Sequence, residues 1–199
     1  MLGKDADTES IFAKVRRVAS VEDVFREKFA PFIGKTDAEI REKIGWRDVT
    51  EAKNYKRLLV NRMLGVSSNR IEELEKAKIT LKVVTLEHTG NLRESISFRH
   101  FDYKGLIDEK WQDDENETMA DFHLQLETKK FLFVVFQKIK GSDRIVLKKT
   151  MFWNFPMKDI AEAEKVWERT IDCINEGRYA DLPKISDSEV AHVRPHGKN

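Results

Sequence analysis

A chain of 199 residues is long enough for one sizeable hydrophobic core, alone or with an appended segment. Hydrophobic residues make up 40% and charged residues 36%, a globular composition with a heavily charged surface. The formal net charge of +1 excludes binding of nucleic acid by bulk charge, so any such contact has to come from a local basic patch.

The single cysteine, Cys173, excludes an internal disulfide framework and a Cys-rich zinc site. Its apolar helical surroundings suit a buried, inert thiol better than a nucleophile. No stretch approaches the roughly 20 apolar residues of a membrane span. The N-terminal MLGKDADTES carries acids where a signal peptide has bases and then an apolar run. The expectation is a soluble, cytoplasmic protein.

Residues 1–19 read as an extension or linker before a domain spanning 20–199. The first helix starts at Ser20, with Asp23 three residues on, and places Val21, Val24, Phe25 and Phe29 at helical spacing until Pro31 stops it. A second helix is announced by the capping box Thr36/Glu39 and ended by Gly45. The third runs from Glu51 to Leu64, with Tyr55, Leu58, Leu59 and Met63 on one side. Its other face carries Lys53, Lys56, Arg57 and Arg62, an ordinary wet face or a contact surface.

After the acidic stretch 71–78, the β-branched run Ile79 to Glu87 predicts a strand. A turn at His88 to Asn91 leads to RESISFRHFDY, whose Ile96, Phe98 and Tyr103 predict a second strand. WQDDENETMADF is acidic and predicts an exposed loop. The apolar run Lys129 to Ile139 predicts a central strand buried on both faces, and RIVLKKTMFW a further strand. Pro156 precedes a long helix, Lys158 to Glu176, closed by Gly177. His100 and His123 stand alone, which favours structural roles over ligation. Lys148 and Lys149 read as plain surface. The fold class is α/β, a mixed central sheet flanked by helices with the long helix packed on it.

Metal-dependent DNA cleavage needs carboxylates to hold a hard cation, and Glu-x-Lys on a strand, where residues two apart share a face. An altered version occurs in IEELEKAKITLKVVTL, with Glu73 seven residues before Thr80 and Lys82 two after it. That segment resembles the DFxxxGVELKTxP motif of the MutH family, which comprises a mismatch-repair nicking nuclease and related GATC-cutting restriction endonucleases. Other blocks agree in order: GKTDAEIREKIGW, NYKRLLVNRMLG, FLFVVFQKI, the helix Trp167 to Gly177 and the terminal HVRPH. The resemblance spans Ser20 to His196 and is greatest to the second, C-terminal copies in tandem Sau-type enzymes. It implies a restriction-endonuclease-like fold of the MutH type.

Carried over residue by residue, the family's helix Glu falls at Asn61, its metal-binding Asp at Glu73 and the Glu of Glu-x-Lys at Thr80. Only the lysines match, at Lys53 and Lys82. A neutral amide or hydroxyl does not replace the lost charge of a Mg²⁺ site. No catalytic residue and no metal are therefore expected here, and the domain needs no cofactor of its own. Arg194 matches the family's target-reading Arg, and an Arg pairs bidentately with guanine. A frayed tail is its plain alternative; His192 and His196 flank it as candidate phosphate contacts.

The resemblance thus implies a non-catalytic DNA-binding or effector domain of a type II restriction endonuclease, with GATC duplex DNA as partner through Lys53, Lys82, Arg194, His192 and His196. A catalytic MutH-like domain in the same parent chain would use Mg²⁺ and do the cutting, and the module could dimerise on DNA. The family continues past HVRPH, so the chain is expected to be part of a longer one. Two rivals stand beside this: an active endonuclease with carboxylates displaced to Glu72, Glu75 or Glu87, and a protein-assembly domain that kept the fold.

Overall fold

The computed structural model describes residues 20–47, 54–68 and 70–195. They form two compact units, 20–96 with 130–153 and 97–129 with 154–195. Each has its own apolar core.

In the first unit, helix α1 (Val21–Phe29) begins where the Ser20 hydroxyl accepts the Asp23 N–H, and it buries Val24, Phe25 and Phe29. Helix α2 (Asp37–Lys43) carries the complete capping box. The Thr36 hydroxyl accepts the Glu39 N–H at 3.3 Å, and the Glu39 carboxylate accepts the Thr36 N–H at 2.7 Å. Two donors that a helix start leaves unsatisfied are thereby paired. Thr36 also accepts from Arg144 at 3.2 Å. Thr36→Ala should destabilise the protein by about 1 kcal/mol, read from its thermal midpoint, whereas Thr36→Ser keeps the cap and most of the stability.

Helix α3 (Tyr55–Leu64) ends at Gly65, whose φ of 81° is a left-handed cap that a side chain would strain. The predicted start at Glu51 lies outside the described residues. The short helix α4 (Glu72–Lys76) occupies the acidic stretch and leads into strand β1 (Ile79–Leu86). Strands β4 (Lys130–Lys138) and β5 (Ile145–Trp153) complete a three-stranded mixed sheet in the order β1-β4-β5. β1 pairs with β4 in parallel and β5 with β4 antiparallel, with a register shift between Val135 and Phe136. As predicted, β4 is central, and its Leu132, Val134 and Phe136 are fully buried. Helices α1 to α3 cover this face; Ile79, Leu81 and Val83 of β1 meet the same core. Thr80 and Lys82 alternate onto the opposite face, beside Phe131 and Phe133 in register.

The second unit is built on α7 (Met157–Asn175), which buries Ile160, Ala163, Val166, Trp167, Thr170, Cys173 and Ile174 and packs on α5 (Tyr103–Asp108) and α6 (Asp121–Glu127). Cys173 is buried, as expected of an inert thiol. The long helix thus finds its cover on short helices of its own unit.

Two other expectations are corrected. Residues 93–103 do not form a strand. Arg93 donates to the Thr85 carbonyl at 3.0 Å, after which the chain runs extended without a ladder, and Asp102 caps α5 through the Gly105 N–H at 2.8 Å. Phe98 is covered by Phe122 and Phe155, ring centroids 5.4 and 6.1 Å away. The acidic segment 111–122 is not a plain loop. It holds a small antiparallel hairpin, β2 (Gln112–Asp113) with β3 (Thr118–Met119), and the start of α6.

His123 has the structural role expected of it. It is buried and stacks on Trp111 at 4.4 Å and 5°. Its Nδ1 lies 2.9 Å from the Trp111 carbonyl, which can only accept, so Nδ1 carries the proton.

Candidate functional site

The altered nuclease motif maps onto the meeting place of α3, α4 and β1, all in the first unit. Asn61 is buried on α3 and donates to the Ser68 carbonyl at 3.1 Å. Glu73 is buried on α4 at 6% exposure, so it is not part of a solvated acidic face. Its neighbours do fit that reading: Glu72 pairs with Lys76, and Glu75 with Arg70 at 2.8 Å. Thr80 and Lys82 are half-buried on β1. Lys53 and His196 lie outside the described residues.

Helix α3 does not present a row of solvated bases. Lys56 is half-buried, with its ammonium 2.5 Å from the Thr85 hydroxyl. Burial, reinforced by Arg93 and Lys138, holds its pKa below the ordinary lysine value. Arg57 turns inward and donates to the Leu81 carbonyl at 3.4 Å. Burial lowers its pKa too, yet a guanidinium stays charged. Arg62 lies over the Trp46 ring, 4.6 Å from its centroid, a cation–π contact.

Trp46 in turn stacks on Tyr55, whose hydroxyl donates to Asp37 at 3.1 Å. Burial, with the Asp37 charge adding to it, pushes the Tyr55 pKa up to about 12 from 10.0. The folded state therefore favours the neutral phenol. The stability this provides is complete below pH 10 and lost as pH climbs towards 12. Tyr55→Phe should flatten that alkaline limb in urea melts taken across the window.

Of the α3 side chains on this side, Arg57 reaches the strand at the Leu81 carbonyl. Asn61 follows Arg57 by one turn, so both look to the same side of α3. Sequence reading counted Arg57 as one base among four; its spacing from Asn61 was the usable signal.

A Mg²⁺ ion does not fit this arrangement. The motif positions Glu73, Asn61 and Thr80 present one carboxylate, an amide and a hydroxyl, and a guanidinium already engages the strand between Thr80 and Lys82. Among the described residues, no group of three or more His, Cys, Asp or Glu is placed to hold a metal.

In the second unit, the HVRPH segment is described as far as Pro195 and is anchored at Val193. Val193 donates to the Pro183 carbonyl at 2.9 Å, and Val190, Ala191 and Val193 pack on the core. Arg194 is exposed beside this anchor, and His192 is half-buried.

No helix among the described residues is long and apolar enough to cross a membrane. No family model matches the chain. The chain is similar to the type II restriction enzyme Sau3AI of Staphylococcus aureus, 27% identical over 206 aligned positions. The match covers 90% of this chain and 41% of that enzyme, which makes the chain its distant homologue over a minor part of its length.

Proposed function

We propose that this chain is a DNA-binding effector module of a type II restriction endonuclease, of the MutH type, that holds GATC duplex and does not cut it alone. The observation that carries the reading is the altered centre. It keeps Lys82 on β1 and holds Arg57 against the Leu81 carbonyl, while Asn61 and Thr80 stand where carboxylates are required.

A centre left with one carboxylate, Glu73, beside Lys82 and Arg57 suits phosphate better than a hard cation. Carboxylates displaced from it are engaged elsewhere: Glu72 with Lys76, Glu75 with Arg70, and Glu87 with Lys138 at 3.1 Å. The similarity to Sau3AI, a named restriction enzyme more than twice as long as the matched stretch, supports DNA as partner and a separate cutting domain in the parent chain. Bound beside that domain, the module raises its effective concentration on DNA and couples a second site to its activity.

The test is a salt-titrated anisotropy assay on a GATC duplex and a scrambled duplex, followed by Mg²⁺ and a gel. Tighter binding to GATC with intact DNA is expected. Lys82→Ala should weaken binding to both duplexes alike and lower the salt slope by about 0.9. Mg²⁺-dependent cleavage would return the displaced-carboxylate endonuclease to favour, and no binding to either duplex would leave an assembly domain.

A further inference from the structure

Strand β1 has one partner strand, β4, among the described residues, which leaves its other edge open to side chains. The Thr85 carbonyl accepts from Arg93, so it points off that edge, away from β4. Backbone groups alternate with a period of two along a strand, so the Leu81 carbonyl points off the same edge. It is there that the half-buried Arg57 side chain donates its hydrogen bond. Thr80 and Lys82, the two motif residues, flank that carbonyl in sequence. Asn61 lies one turn along α3 on the Arg57 side, and buried Glu73 sits on α4, which packs on β1.

We propose that Arg57 is the resident cation of this centre and closes it to divalent metals, so that restoring the missing carboxylates alone would not reopen it. This rests on reading the centre as an altered nuclease site. A guanidinium is permanently charged, and here it is tethered by a hydrogen bond to the backbone oxygen between the motif residues Thr80 and Lys82. A divalent ion bound between these positions would meet the like charge of the half-buried Arg57, where screening is weaker than in bulk water. The loss of ligands and the gain of a half-buried cation are thus two separate barriers.

The experiment compares Mn²⁺ binding, by calorimetry without DNA, in two variants of the full chain. One carries Asn61→Glu, Glu73→Asp and Thr80→Glu; the other adds Arg57→Ala. The first should give no binding heat, and the second should bind Mn²⁺ with an affinity higher by about tenfold or more, the scale of removing one nearby like charge. Circular dichroism checks folding. If the triple change unfolds the chain, the same comparison is made on Thr80→Glu alone. Equal binding with and without Arg57, or no binding in either, overturns the proposal. The readout contains no DNA, so a failure of DNA binding by the native chain is recorded separately.

Discussion

Phe136→Ala should lower the unfolding free energy by about 3–5 kcal/mol, the range for truncating a buried phenylalanine. Phe136 is 0% exposed on the central strand, in register with Thr85 of β1 and Leu147 of β5. Its ring fills space below α1 to α3 that no neighbour can readily take over, because the strands on both sides are fixed by ladders. The register shift between Val135 and Phe136 adds to the sensitivity, since the bulge has to keep its geometry around the ring. The loss would be a large fraction of a typical domain stability of about 5–15 kcal/mol. Urea melts should show a lower midpoint with an unchanged slope. Phe133→Ala, on the opposite face and only half-buried, should cost less. A loss below about 1 kcal/mol at Phe136 would contradict the placement of β4 at the centre of the core.

The parts of the fold that were readable in the sequence are those where local chemistry and tertiary burial agree. The run FLFVVF could only be satisfied between two strands, and it is. The Thr36/Glu39 box encodes both hydrogen bonds of a helix start, and Gly65 and Pro156 mark real boundaries. The segment 93–103 misled because alternation of Ile96, Phe98 and Tyr103 describes what a strand needs to bury, and says nothing of whether a neighbouring edge is available. Phe98 is partly buried by two aromatic rings instead. The Asp102 cap of α5, a local signal, was present and outweighed by that alternation.

At the candidate site the lysine and carboxylate positions are those that the family resemblance implies. The role of Arg57 was not legible, because charged residues on a helix are assigned to solvent by default. What overrides that default is a partner on another element, the Leu81 carbonyl, 24 residues away in sequence. Glu73, placed by the resemblance at the metal-binding Asp position, has the same default against its burial. Three glutamates in five residues look like one solvated face, yet only one of them is turned inward.

Arg194→Ala should shrink the preference for GATC over scrambled duplex by about 10- to 100-fold, the worth of one bidentate base contact of roughly 1–3 kcal/mol. Pro195 limits the backbone beside Arg194, and the Val193 bond to Pro183 fixes the segment on the other side. An exposed guanidinium held this way loses less freedom on binding than one on a frayed tail, which is what a planar two-point contact requires. Binding to scrambled duplex should fall only by the share of a single charge, seen as a drop of about 0.9 in the salt slope. Arg194→Lys separates the two effects: it keeps the charge and loses the fork, so it should restore affinity for the scrambled duplex without restoring the preference. Paired anisotropy titrations at matched salt give both quantities. An equal loss on both duplexes would reassign Arg194 to the phosphate backbone, and no loss on either would make the segment a spectator, leaving sequence reading to be sought elsewhere in the chain.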